Sequence, residues 1–170
     1  MSAGLWIFII PAALALWVLW VYNSGVRHRN QQAEAWSGVD VQLKKRHDLV
    51  PPLVECVRAY SAHEAETLRG VVAARGEAGV VDAMRGLLAL AEAYPELKAT
   101  QNFQQLTTQL VLIEDDLQFA RRYFNGSVRD FRNFAESFPA NLVAGIFKFS
   151  PAEFFEVENV IERKAPQVGL

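Results

Sequence analysis

The sequence predicts an all-α fold, with an N-terminal transmembrane helix followed by a long antiparallel helical bundle of about four helices and coiled-coil-like seams. Three observations lead to this prediction. Residues 5–22 are almost unbroken apolar sequence, two long tracts place apolar residues alternately three and four positions apart, and no segment shows a strand pattern of comparable quality. We expect an anchor over residues 1–25, a bundle over 26–138, and short apolar C-terminal helices with a polar tail over 139–170.

The apolar run over residues 5–22 is long enough to cross a membrane. As a helix its 18 residues measure about 27 Å, close to the roughly 30 Å hydrocarbon core of a bilayer. Transmembrane helices tolerate proline, and aromatic residues are enriched at both membrane interfaces. A cleaved signal peptide would need a basic start and a small-residue cleavage site, which this segment lacks. The predicted anchor residues are Leu5, Trp6, Pro11, Trp17, Trp20 and Tyr22.

The cations that flank the run predict its direction. No Lys or Arg precedes it, whereas Arg27 and Arg29 follow it, and further cations follow at Lys44, Lys45 and Arg46. Because Lys and Arg are retained on the cytoplasmic side, the N-terminus should face out and the body should face the cytoplasm. A periplasmic body would require Arg27 and Arg29 to cross the membrane.

Two tracts carry the seam pattern of the bundle. The first is mostly apolar with three polar interruptions: Trp36, Val39, Leu43, Arg46, Val50, Leu53, Val57, Tyr60, Glu64, Thr67 and Val71. The second is cleaner: Phe103, Leu106, Leu110, Ile113, Leu117, Ala120, Phe124, Ser127, Phe131, Phe134 and Phe138. A 3.5-residue repeat of this length is typical of helices packed as a left-handed bundle.

A shorter helix is predicted between the tracts from apolar residues at helical spacing. Gly76 and Gly79 predict the turn before it, and Tyr94 followed by Pro95 predicts its end, because the residue before proline disfavours helical backbone. Its apolar positions are Val80, Val81, Met84, Leu87, Leu88, Ala91 and Tyr94.

The prolines Pro51 and Pro52 leave two alternatives open for the first tract. Either one long helix is kinked here, or a helix ends near His47 and another starts with Asp48 as its cap and proline in its first turn. The seam phase continues across the pair, which favours nearly collinear pieces.

The C-terminal region changes in character after Phe138. Residues 139–149 are apolar enough for a short helix laid across the bundle. Ser150 and Glu153 have the spacing of a capping box, with Pro151 at the first helical position, and therefore predict a second helix. The pair Phe154 and Phe155 would then be buried or would face a partner.

Composition and motifs point away from catalysis. With a single cysteine, Cys56, the chain forms no internal disulfide, and a net charge of −2 without a basic stripe argues against nucleic-acid binding. His63 and Glu64 resemble the start of a zincin helix, but Thr67 stands where the second histidine is needed. We predict no enzyme activity, no catalytic residue, no metal and no cofactor.

Charged residues on the apolar seams are more informative. Arg46 and Glu64 fall in the core register of the first tract, and charged groups are rarely buried unless paired. Either they pair within the bundle or lie on a partly exposed seam, or they face a partner subunit and set the register of the contact.

Several stretches together resemble the LemA family, over nearly the whole chain including the anchor. They include residues 35–37, 40–46, 48–51, 53–55, 93–99, 113–114, 120–125, 137–139, 141–142 and 147–149. The resemblance implies an antiparallel helical bundle behind an N-terminal membrane helix. It implies no established reaction, cofactor or catalytic residue, so none is transferred. Pro52 and Cys56 depart from the family pattern and bear on the kink geometry.

The preferred hypothesis is a membrane-anchored helical scaffold at the cytoplasmic face of a bacterial inner membrane. It would self-associate as a homo-oligomer or recruit other membrane proteins. The alternative is a protein that binds or remodels the membrane surface through residues 142–155. An unrecognised enzyme is the third hypothesis. The candidate interaction residues are Arg46, Glu64, Leu142, Ile146, Phe147, Phe149, Phe154 and Phe155.

Overall fold

The computed structural model describes residues 3–59 and 76–155. Every regular element in these ranges is a helix, and no strand occurs in them, which confirms the predicted all-α class. In chain order the helices are α1 (Ala3–Asp48), α2 (Val50–Arg58), α3 (Gly76–Glu92), α4 (Pro95–Lys98), α5 (Gln101–Glu136) and α6 (Ala140–Ile146).

At the proline pair the structure has two helices separated by the single residue Leu49, so features of both alternatives are present. Helix α1 ends at Asp48, and Pro51 and Pro52 lie in the first turn of α2, where a missing N–H costs little. The cap is Leu49, so the prediction that Asp48 caps α2 is wrong. Leu49 keeps helical backbone angles (φ −79°, ψ −19°), whereas a capping side chain needs its own residue in the extended region.

The chain forms two compact units. The first comprises residues 1–36 and 121–170, and the second comprises residues 37–120. Helices α1 and α5 each contribute residues to both units.

The second unit has its own hydrophobic core, built from α2, α3, α4 and the first part of α5. Each fully buried aliphatic or aromatic side chain in such a core contributes about 1.5–3 kcal/mol relative to exposure. Predicted seam positions of the two tracts supply half of the buried members that the structure describes. Its buried members are Val50, Leu53, Val54, Val57, Met84, Leu87, Ala91, Leu97, Phe103 and Leu110.

Helix α3 is the short helix expected between the tracts, but its start differs from the prediction. It begins at Gly76 and includes Gly79, so the turn predicted at these glycines is wrong. A glycine within a helix costs only about 1 kcal/mol relative to alanine, and the apolar face of α3 more than offsets this. The predicted end is confirmed, because Tyr94 before Pro95 leaves the helical region (φ −123°, ψ 86°).

In the first unit, α1 and α5 pack antiparallel. The ring of His28 lies 6.2 Å from that of Phe131, and the ring of Trp36 lies 5.2 Å from that of Phe124, so residue numbers rise along α1 as they fall along α5. The antiparallel pairing predicted from the two tracts therefore holds within this unit.

The second seam keeps its predicted register until α5 ends. Phe124, Ser127 and Phe131 are buried, and the Ser127 hydroxyl donates to the Phe124 carbonyl at 2.7 Å. Phe138 breaks the pattern with 80% exposure, because α5 ends at Glu136 and the heptad phase no longer applies beyond it.

The C-terminal region is helical in one part and not in the other. Helix α6 lies within the predicted residues 139–149, whereas residues 150–155 contain no helix, so the helix predicted from the capping box is wrong over these residues. The amide N–H groups of Ala152 and Phe155 donate to side chains of α1 and α5, and these bonds replace those of a helix.

Gly25 of α1 permits a close approach by the C-terminal segment. A Cβ added at Gly25 would lie 2.6, 2.8 and 2.9 Å from three ring atoms of Phe149. Ring contacts with Tyr22 and Phe131 hold Phe149 in place, which limits its ability to shift. Only glycine therefore fits here without moving the ring.

We predict that Gly25→Ala lowers the stability of the fold. Overpacking of this kind typically costs about 1–3 kcal/mol, which should lower the thermal midpoint measured by circular dichroism in detergent. Gly38→Ala is the matched control, because Gly38 lies in the same helix and nothing lies within 4 Å of an added Cβ. Equal midpoints for the two variants would contradict the contact.

Candidate functional site

Arg46 is buried in the second unit and paired with Glu114. The Nε atom of Arg46 lies 2.7 Å from Oε1 of Glu114, with the two side chains 7% and 34% exposed. The sequence left several alternatives for charged residues in the core register. For Arg46, the structure shows pairing within the bundle. In the acidic run of residues 114–116, Asp115 and Asp116 are exposed, whereas Glu114 pairs internally. Glu64 lies outside the described residues.

We predict an asymmetric response to removal of either partner. Glu114→Ala leaves a buried guanidinium without its carboxylate. Such a loss costs roughly 3–5 kcal/mol in a fully buried pair, and we expect less here because water reaches Glu114. Arg46→Met should cost less than Glu114→Ala, since a packed apolar chain replaces the charge. Urea unfolding of both variants, with the exposed Asp115→Ala as control, tests this order. A Glu114→Ala midpoint equal to that of Asp115→Ala would refute it.

The C-terminal segment, defined as residues 149–155, is held by side-chain amides of α1 and α5. The Phe155 N–H donates to Oδ1 of Asn125 at 2.7 Å, and Nδ2 of Asn125 donates back to the Phe155 carbonyl at 3.0 Å. The Ala152 N–H donates to Oε1 of Gln32 at 3.2 Å. These bonds satisfy backbone groups of a segment that has no regular structure of its own.

Cations and aromatic rings complete the contacts of the C-terminal segment. The guanidinium of Arg121 lies 4.6 Å from the ring centroid of Phe155, and that of Arg132 lies 4.6 Å from the ring centroid of Phe154. Trp36 lies 6.1 Å from Phe155, ring to ring. At these distances cation–π attraction contributes about 0.5–1 kcal/mol per pair at an exposed site.

We predict that Asn125→Ala releases the C-terminal segment. Loss of two hydrogen bonds to one residue should cost about 1–3 kcal/mol, equivalent to roughly a 5- to 150-fold rise in amide exchange at residue 155. Hydrogen–deuterium exchange read at residues 149–155 measures the change. Asn133→Ala, at an exposed position of the same helix, is the control. Unchanged exchange in Asn125→Ala would show that the aromatic contacts alone hold the segment.

A cavity of about 580 Å³ lies beside the C-terminal segment. Arg29, Gln32 and Trp36 of α1 line it together with Phe124 and residues 152–155. Arg29 is one of the two cations from which the orientation of the membrane helix is predicted. It thus also contributes to local packing. Arg27 is exposed, so it is the cleaner position for testing orientation by charge reversal.

The structure divides the C-terminal interaction candidates into two groups. Leu142, Ile146 and Phe147 are exposed on α6 and just after it. The other three, Phe149, Phe154 and Phe155, contact residues of α1 and α5 through the ring and cation contacts already described. The sequence treated all six as one apolar surface. In the structure Phe147 also contacts α1 through the ring of Tyr22, so Leu142 and Ile146 are the members that mainly face solvent.

Sequence reasoning missed an apolar patch on the outer face of α5. Leu112 and Phe119, 59% and 66% exposed, lie two helical turns apart with the exposed Asp115 and Asp116 between them. We call these four residues the outer α5 patch. A signal for this patch is present in the sequence. Helix α5 contains large apolar residues outside its predicted seam, although the seam alone supplies an apolar face along the helix.

Helix α1 contains the candidate membrane span. It is the helix in the described ranges that is long and apolar enough to cross a membrane, and only 11% of its most apolar 18-residue stretch is buried within the protein. A core helix would be mostly buried. Leu5 and Trp6 belong to α1, which continues through Pro11, while Trp17 is half-buried and Trp20 is exposed.

The fold and these surfaces define a class: an all-α protein with an N-terminal candidate membrane helix and a helical body. Its sequence matches the model of the LemA family over residues 35–169, and the chain belongs to this family. It is also similar to a protein from Metamycoplasma hominis described as Protein LemA. The two are 24% identical over 159 residues, which cover 80% of this chain and 73% of the relative.

Proposed function

We propose that this protein is a non-enzymatic, membrane-anchored helical scaffold whose copies associate side by side at the bacterial inner membrane. The observation that carries the proposal is the outer α5 patch, where two large apolar side chains flank two exposed carboxylates. Exposed large apolar side chains beside polar residues are a feature of protein interaction sites.

A second surface of the same unit has complementary chemistry. Val41, Lys44 and Lys45 are exposed on α1 at spacings that place them on one helix face. The outer α5 patch has an apolar residue, Leu112 or Phe119, on each side of its two carboxylates. The α1 face, with Val41 followed by two lysines, can therefore pack against it with the two helices either parallel or antiparallel. The proposed contact joins α1 of one copy to the outer α5 patch of the next.

The geometry of such a contact favours assemblies larger than a dimer. A contact between two different surfaces leaves one of each free at the ends, so copies continue to add unless the ring closes. The proposed anchor confines copies to one plane and raises their effective concentration, so a weak contact is sufficient. Recruitment of other membrane proteins through the same patch is compatible with this arrangement.

The proposed orientation places the N-terminus outside and the body in the cytoplasm. It is supported by Arg27 and Arg29, which follow the apolar run directly. The non-enzymatic assignment is supported by the use of buried polar groups in the described residues. Arg46 pairs with Glu114, and Ser127 bonds to the backbone of its own helix.

We predict that the full-length protein in detergent has a mass that is a multiple of the 19.0 kDa chain, measured by light scattering corrected for bound detergent. Reversal of the acidic charges with Asp115→Lys and Asp116→Lys should reduce the mass towards that of a monomer. Reversal of the basic charges with Lys44→Glu and Lys45→Glu should do the same. Like charges then face each other, which is unfavourable at a contact.

The combined variant with all four reversals is the decisive control. It restores opposite charges across the contact, so it should recover the assembly of the unmodified chain. All four positions are exposed, and circular dichroism should remain unchanged in every variant. A clean monomer for the unmodified protein, or assemblies indifferent to all reversals, would rule out this contact.

A further inference from the structure

A second apolar surface lies on and around α6 in the first unit. Phe138 and Ile146 are 80% and 75% exposed, and Leu142 and Phe147 are 58% and 48% exposed. Leu142 and Ile146 are four residues apart and therefore share one face of α6. We call these four residues the α6 patch.

Helix α6 has a buried apolar face and a largely apolar exposed face. Val143 and Ala144 are buried in the unit, while Leu142 and Ile146 point away from it. A surface helix in water usually carries polar residues along its outward face. The exposed face of α6 has one, Asn141, beside the large apolar side chains of Leu142 and Ile146.

Contacts with the end of the apolar run of α1 indicate what covers this face. The ring of Phe147 lies 4.8 Å from that of Tyr22, at a T-shaped angle of 62°, and the ring of Phe149 lies 5.7 Å from Tyr22. Tyr22 is the aromatic residue at the body end of residues 5–22, where an interfacial residue of a transmembrane helix is expected. The α6 patch is thus attached to the point at which α1 would leave the bilayer.

We propose that the α6 patch inserts into the same bilayer that α1 crosses, with Leu142 and Ile146 at the boundary between headgroups and acyl chains. This inference rests on the proposed membrane anchor and is independent of the contact between copies. It gives the chain a second, shallow membrane contact beside the anchor. The C-terminal segment then begins at the membrane surface.

The charge of the region determines the kind of lipid interaction. Lys148 is the single charged residue of residues 138–149, so little attraction to anionic headgroups is available. Insertion should be driven by burial of apolar area, and therefore should not depend on anionic lipid or on salt.

The test uses the full chain in vesicles of phosphatidylcholine, with an environment-sensitive fluorophore on single cysteines. In a Cys56→Ser background, or Cys56→Ala if the first folds poorly, the labelled positions are Leu142→Cys, Ile146→Cys, Val111→Cys and Leu16→Cys. Val111 is the matched control because it is 60% exposed, close to the 58% of Leu142, and belongs to neither the outer α5 patch nor the α6 patch. Leu16, exposed within the apolar run, reports on the anchor itself.

Quenching is provided by a phosphatidylcholine with a nitroxide near the top of its acyl chain. Labels at 142 and 146 should lose at least about half of their emission, because interfacial helices bury their apolar face roughly 5–10 Å into the bilayer boundary, whereas a label at 111 should be unaffected. The result should be the same in high salt and with added anionic lipid.

Other outcomes separate the two proposals. Suppose that a label at 16 is quenched by a nitroxide deep in the acyl chain, while labels at 142 and 146 are as unaffected as the label at 111. This result would overturn α6 insertion and leave the anchor intact. Blue-shifted but unquenched emission at 142 and 146 would show that protein, not lipid, covers the patch, and would also overturn it. An unquenched label at 16 would refute both the anchor and the insertion.

Discussion

Helix α5 supplies buried residues to both units, and the rest of the structure depends on its continuous apolar seam. Phe103 and Leu110 enter the core of the second unit, and Phe124 and Phe131 enter the first. A seam that recurs about every 3.5 residues gives α5 one apolar stripe, and residues of this stripe are buried in each unit. With that face filled, any large apolar residue elsewhere on α5 is available for other contacts. Leu112 and Phe119 are such residues, and the proposed assembly depends on them.

The parts of the fold that sequence predicted are those governed by local periodicity. The second seam was correct from Phe103 to Phe131, and α6 was expected where it occurs. The errors arise where contacts between residues far apart in the sequence determine the local structure. The Asn125 bonds join residues 30 positions apart, and the Gln32 bond joins residues 120 positions apart. No local sequence pattern therefore predicts that residues 150–155 are held without helical structure. The capping-box motif at Ser150 was a valid local signal that these tertiary bonds override.

The candidate sites show the same division. Arg46 was identified as a charged residue in a core register, but its partner Glu114 lies on the other tract and could not be chosen from spacing. The apolar residues after Leu142 were identified as a group, but burial separates those that face solvent from those that contact α1 and α5. Three apolar surfaces therefore have three environments. The seams face protein within the chain, the outer α5 patch faces a neighbouring copy in our proposal, and the α6 patch faces lipid.

The way in which Asn125 holds the C-terminal segment has a consequence for variation among related chains. Both hydrogen bonds go to backbone atoms of residue 155, so any residue other than proline at that position can form them. The constraint falls on the amide at 125, which must offer a donor and an acceptor at once, and aspartate, which is nearly the same size, cannot do this when ionised. Substitutions should therefore be tolerated more readily in the C-terminal segment than at Asn125. Relatives could retain the path of the chain here after the sequence along that path has changed.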